Sequence, residues 1–265
     1  MKALRLATLT GGIFILSLGL GFAFQMPQAT AAWPWPDGRL SYLFIGSILA
    51  AVSAAMLWIG WTGTWGALPA GALNVLVISL LAGGYFIHLL INGRTELLAF
   101  VAISLLAALA SAGAFFWSRR FPLTDERPTP RLVLFSFWLF TAALILTGGA
   151  LLLRLPVFPW AVNPDSSFIF GSIFVGDAFY FIYGLWKPRW QNALGQLLSF
   201  LAYDLVLIIP FINLFQTVKP DLLLNLTVYV AVLIYSGWVA IYFLFIHQPT
   251  RIWGKKSVTA NPLRI

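Results

Sequence analysis

The sequence predicts an all-α integral membrane protein with eight transmembrane helices, arranged as two tandem parallel four-helix repeats. Three observations carry this reading. Hydrophobic residues make up 60% of the chain and charged residues 9%, with a mean hydropathy of +0.90. Apolar runs of spanning length alternate with short polar connections. The chain also resembles itself at an offset of 125 positions, from Pro34 to Pro159 and onward. Soluble domains carry about 25% charged residues, and a hydrocarbon layer of about 30 Å is crossed by roughly 20 apolar residues in a helix.

The elements follow in order. The N-terminal run has a basic start, an apolar stretch and a small-residue end, as a cleaved signal peptide does. An internal partner at "RLVLFSFWLFTAALILTGGALLLRL" argues for a retained first span over residues 3–24. The loop "WPWPDGRLSYLFIGS" leads into a second span at 40–61, followed by spans at 67–90 and 96–117. A proline-containing polar linker covers 121–130. Spans at 132–153, 167–186, 193–215 and 222–246 then repeat the plan, with "FPWAVNPDSSFIFGS" as the second loop. The expected organisation is one membrane domain, with repeats at 1–120 and 131–250 and a basic cytoplasmic tail at 251–265.

The register of the repeat is sustained without a gap. It pairs Trp35 with Trp160, Ser41 with Ser166, Gly46 with Gly171, Trp61 with Trp186, Trp65 with Trp190 and Phe86 with Phe211. Such self-similarity is the feature to seek first in a new sequence. A unit with an even number of spans returns to the side where it began, so the halves share one orientation about an axis along the membrane normal. Of the 16 Lys and Arg, only Arg39, Arg94, Arg154 and Lys219 fall on the side of the Trp-Pro loops. The positive-inside rule then places both termini in the cytoplasm.

The Trp-Pro loops comprise Trp33, Pro34 and Trp35 in one half and Phe158, Pro159 and Trp160 in the other. Proline ends a helix and fixes an extended turn, and tryptophan suits the headgroup layer, so these loops are expected to be interfacial anchors. Trp58, Trp61, Trp65, Trp117, Trp186 and Trp190 form the matching belt on the other side. The loops and the spans after them resemble a group of bacterial multi-pass membrane proteins marked by a recurrent FPWPL-like segment. The chain departs from that motif after Trp35 and Trp160, and the resemblance implies a multi-pass fold without an activity.

Composition also excludes chemistry. With no cysteine, disulfides, thiolate metal sites and iron–sulfur clusters are ruled out, and His88 and His247 are too few for paired haem ligation or a conventional zinc site. The net charge of +8 comes from residues flanking apolar runs and gives no nucleic-acid face. Membrane lipids are the expected surroundings.

What remains informative is polar content inside the spans. An ionisable residue at bilayer depth costs about 2.5 to 3.5 kcal/mol on insertion scales and usually lines a cavity or finds a partner. Asp177 and Asp204 are the two acids in such positions, on consecutive spans and at similar depth. If they face one another they are expected to share a proton, since two carboxylates in a low dielectric do not both stay ionised cheaply. Tyr180 lies one turn from Asp177 on the same face, while Tyr203 adjoins Asp204 on another. Tyr229 and Tyr235 are further hydroxyls on the last span. The first repeat has Val52 and Ser79 at the equivalents of the two acids, which confines the candidate site to the second half. His88 and its counterpart Asn213 are secondary candidates near span ends, where capping is the default role.

Three functions are compatible with this pattern. The leading one is binding or translocation of a proton, cation or small polar solute at the acidic pair. The second is a non-catalytic subunit or assembly factor of a larger membrane complex, using its aromatic faces to pack against other membrane proteins. The remote third is intramembrane acid/base catalysis. Gly176-Asp177 and Tyr203-Asp204 resemble presenilin-type aspartyl proteases, but with the order of the tyrosine and glycine dipeptides reversed and no proline signature.

Overall fold

The computed structural model describes residues 1–253; the remainder of the expected basic tail lies outside the described residues. Among the described residues, eight helical segments are long and apolar enough to cross a membrane. They are α1 (Lys2–Ala23), α2 (Arg39–Thr62), α3 (Leu68–Ile91), α4 (Leu98–Ser118), α5 (Arg131–Leu152), α6 (Pro164–Trp186), α7 (Trp190–Leu214) and α8 (Leu223–Ile241). Short 3₁₀ turns lead into α3, α4 and α8, and a π turn, Tyr242–Ile246, follows α8. These helices coincide with the spans expected from the apolar runs. Pro210 sits within α7, which continues past it to Leu214.

Close backbone packing joins α1 to α2, α3 to α4, α5 to α6 and α7 to α8, and crosses between the halves of the chain from α2 to α7 and from α3 to α6. In lipid no hydrophobic drive pulls apolar helices together, so close approach depends on small residues at the crossings. Gly19 of α1 meets Gly46 of α2, where a Cβ on Gly46 would stand 2.7 Å from the Gly19 carbonyl oxygen. Gly148 of α5 meets Gly171 of α6 in the same manner, with a Cβ on Gly171 placed 2.8 Å from the Gly148 oxygen. Buried serines reinforce both seams. Ser53 Oγ donates to the Gly12 carbonyl at 2.9 Å and Ser167 Oγ to that of Leu151 at 2.9 Å.

The end of α2 shows why Gly63 is required. Its φ of +73° forms the left-handed cap of the helix, and a Cβ there would overlap the Arg5 guanidinium. Arg5 Nη2 donates to the Thr62 carbonyl at 3.0 Å, a cation on the negative end of the helix dipole.

The Trp-Pro loops correct an expectation. Rather than facing headgroups, the rings of Trp35 and Phe158 are covered by protein, with 5% and 2% of their surface exposed, and Trp33 and Trp160 are half-buried. Pro34 and Pro159 turn the chain inward. Trp35 then stacks on Phe86 of α3 at 5.9 Å between centroids, and Trp160 packs edge-on against Phe211 of α7 at 5.5 Å. Trp33 Nε1 donates to Ser166 Oγ on α6 at 3.1 Å, and Trp160 Nε1 donates to Ser41 Oγ on α2 at 3.0 Å. Each loop thus ties its own half to the other. The expected belt at the opposite end also divides: Trp61 and Trp186 are exposed, whereas Trp65 and Trp190 are buried.

Polar ties hold both ends of the bundle. On the loop side, Tyr85 donates to Asp165 Oδ1 at 2.6 Å, and Arg154 Nη2 donates to the Tyr85 hydroxyl at 2.8 Å and approaches Asp165 Oδ1 at 3.6 Å. On the other side, the linker is clasped. Gln191 Oε1 accepts from Thr124 N, Thr124 Oγ1 and Asp125 N at 2.6, 2.9 and 3.0 Å.

Candidate functional site: a central cavity beside Asp177

A cavity of about 760 Å³ runs through the middle of the bundle, within the range of small-molecule sites. Aliphatic and aromatic side chains from all eight helices make up most of its wall. Its polar content is concentrated where α3, α6 and α7 meet: Asn74, Asp177, Tyr180, Gln196, Ser199 and Tyr203.

Gly176 creates this meeting point. A Cβ on it would lie 2.3 Å from Ile78 Cγ1 and 2.8 Å from Asn74 Oδ1, so only glycine lets α6 approach α3 here. The adjacent Asp177 receives Asn74 Nδ2 on Oδ1 at 2.7 Å. Its second oxygen, Oδ2, accepts from no donor among the described residues, while the residue itself lines the cavity. Asn74 is 7% exposed and held against the Gly176 backbone, so the donor that positions Oδ1 is itself fixed.

Asp204 occupies a different setting. It is 4% exposed, outside the cavity wall, and its two oxygens lie 3.0 and 2.9 Å from Ser236 Oγ on α8, sharing its single hydroxyl proton. Among the described residues, no hydrogen bond joins it to Asp177. The expected shared proton is therefore replaced by two separate pairs. α6 packs closely with α5 and α3, and α7 with α2 and α8, so α6 and α7, although consecutive, are not close backbone neighbours along their lengths.

Of the two tyrosines expected beside the acids, Tyr180 lies on the cavity wall, as does Ser199. Tyr203 also faces the cavity, its hydroxyl paired with that of Tyr229. Tyr235 instead turns to Ser136 Oγ, 2.8 Å away. His88 and Asn213 are exposed and stand apart from the cavity; His88 has Asn92 as its neighbour on the following turn.

Asn74, Gln196 and Ser199 were not singled out from the sequence, because attention to ionisable residues passes over amides and hydroxyls. A signal was present: the offset of 125 pairs Asn74 with Ser199, two polar residues at equivalent places in otherwise apolar spans. Gln196 Nε2 donates to the Tyr180 carbonyl at 2.6 Å, joining α7 to α6 near their connecting loop.

Compared with known proteins, the chain matches no family model, no curated protein and no solved structure.

Proposed function

We propose that this chain is a multi-pass protein of the bacterial inner membrane, built from two tandem four-helix halves with both termini cytoplasmic, which binds or passes a proton, cation or small polar solute at Asp177. The two-half reading is supported by helix contacts that exchange under the offset of 125: α1 on α2 corresponds to α5 on α6, and α2 on α7 to α6 on α3. The ring pairs Trp35–Phe86 and Trp160–Phe211 correspond residue for residue. The uneven distribution of Lys and Arg supports the orientation.

The single observation that carries the solute reading is Asp177 itself. It is a carboxylate at span depth, with one oxygen held by Asn74 and the other on a cavity wall without a protein donor. Acids inside membranes are costly and mark binding or conduction pathways by default. Asp204, turned away from the cavity onto Ser236, acts as a helix clamp in this reading.

Purified protein in detergent tests this by reaction with dicyclohexylcarbodiimide, an apolar carboxyl reagent, with adducts located by mass spectrometry. The expected result is modification of Asp177 and not Asp204, slowed by acidic-to-alkaline change, by a monovalent cation or by a small amine. Absence of an Asp177 adduct, or an adduct rate indifferent to all three, overturns the proposal.

A further inference from the structure

The cavity reaches the surface of the bundle along two seams. At the end carrying the N-terminus, it is lined by Leu4 and Thr8 of α1 and by Ala110 and Ala114 of α4, and Ala110 is exposed as well. At the end carrying the Trp-Pro loops, it is lined on α8 by Leu224, Val228 and Val232, which are 71%, 56% and 40% exposed. Both seams lie within membrane-spanning segments, where the surroundings are acyl chains.

The two halves differ at the first of these seams. Between α5 and α8, Ser136 Oγ meets the Tyr235 hydroxyl at 2.8 Å, and Tyr235 packs on Phe140 with centroids 5.8 Å apart. The equivalent positions between α1 and α4 are Gly11 and Ala110. Among the described residues no side-chain hydrogen bond bridges α1 and α4, and the cavity extends there instead. Replacing a Ser–Tyr latch by Gly and Ala leaves one closed and one open seam at the same end.

A water-soluble solute gains nothing from a lateral opening into hydrocarbon. A membrane amphiphile does, because its tail stays in an apolar environment while its head alone must be accommodated. The long aliphatic and aromatic wall suits such a tail, and the single unengaged carboxylate oxygen suits one donating head group, a protonated amine or a hydroxyl. The geometry points to a single-chain amphiphile with a hydrogen-bond-donating head as the ligand of this cavity, reaching Asp177 from the bilayer through the α1–α4 seam at the end carrying the N-terminus and past Leu224, Val228 and Val232 of α8 at the loop end. This rests on the Asp177 reading and gives that solute a chemical class and a route.

The test uses the full chain in phosphatidylethanolamine–phosphatidylglycerol vesicles with a long-chain alkylamine carrying a diazirine midway along its tail. After illumination, adducts are mapped by mass spectrometry in the wild type and in Asp177→Asn, Ala114→Trp, Ala110→Trp and Val228→Trp. Thermal melting confirms the fold of each variant, and the exposed Ala110 and Val228 guard against loss of folding at Ala114. Adducts are expected on cavity residues such as Phe174 and Phe200. They should fall about tenfold in Asp177→Asn, the loss of one charge-assisted hydrogen bond, and comparably when the seams are blocked. Cavity labelling that falls in Asp177→Asn but withstands every tryptophan overturns the lateral route while leaving the Asp177 site standing. Labelling that falls with the tryptophans but not with Asp177→Asn overturns Asp177 as the head-group partner. Labelling confined to lipid-facing residues overturns the amphiphile altogether.

Discussion

Trp160 donates its indole N–H to Ser41 across 3.0 Å, linking the second Trp-Pro loop to a helix of the first half of the chain. Ser41 is fully buried, so its hydroxyl has no solvent to fall back on. Trp160→Phe and Ser41→Ala should each lower the melting temperature in mild detergent. Their double-mutant cycle should return a coupling of about 0.6 kcal/mol, the average for hydrogen bonds between membrane helices. A coupling of zero would show that the pair is held by ring packing alone.

The spans were legible in the sequence because insertion energetics leaves few alternatives: an apolar run such as 132–153 must become a helix such as Arg131–Leu152. The partners of each span were not. Acyl chains are as apolar as leucine, so nothing in α7 announces that it packs on α2 rather than along α6. The misreading of Asp177 and Asp204 as one pair follows directly from treating consecutive spans as neighbours. The burial of Trp35 was hidden for a related reason. A tryptophan beside proline carries the same signature whether its ring meets headgroups or, as here, Phe86.

Glycines at the crossings should be far less tolerant than glycines elsewhere in the bundle. A Cβ on Gly46 or Gly171 would collide with backbone oxygen, which has no rotamer to move into, whereas a Cβ on Gly84 or Gly113 meets nothing within 4 Å. Gly46→Ala and Gly171→Ala should destabilise the protein by about 1 to 3 kcal/mol through overpacking. Gly84→Ala and Gly113→Ala should be neutral or stabilising by up to about 1 kcal/mol. Denaturation in a graded detergent mixture reads all four, and equal effects would remove the crossings as the reason for glycine.

The two intramembrane acids should separate by mutation. Asn at 204 retains an oxygen able to accept from Ser236, so Asp204→Asn should change stability by less than about 1 kcal/mol, while Asp204→Leu removes the tie between α7 and α8 and leaves the serine only the Val232 carbonyl of its own helix, 2.8 Å away. Neither should alter the reactivity of Asp177. Asp177→Asn should instead lower alkylamine photolabelling of the cavity about tenfold while leaving the melting curve nearly unchanged, because the partner amide Asn74 keeps an acceptor. A large loss of stability in Asp177→Asn would recast that residue as a second clamp.

One buried side chain gathers the first turn of the linker between the halves. Gln191 is 1% exposed and its Oε1 gathers three donors from Thr124 and Asp125, while its Nε2 finds no partner. The acceptor is therefore the part of the amide that matters. Gln191→Met removes it at similar size and leaves two backbone N–H groups unpaired, each costing about 1 to 3 kcal/mol if kept buried, so the segment should open rather than bear that cost. Arg127 lies in this stretch, ion-paired with Asp125 and bonded to the Pro249 carbonyl, and its backbone oxygen accepts from Trp190 N at 2.8 Å. Opening should expose the neighbouring Glu126–Arg127 bond, and limited digestion in detergent with a glutamate-specific endopeptidase should cut the Met variant there several-fold faster than the wild type. Gln191→Glu keeps a stronger acceptor toward the same three donors and should restore resistance. Equal digestion of all three proteins would mean that the Pro128–Arg189 backbone pairing, and not Gln191, holds the linker.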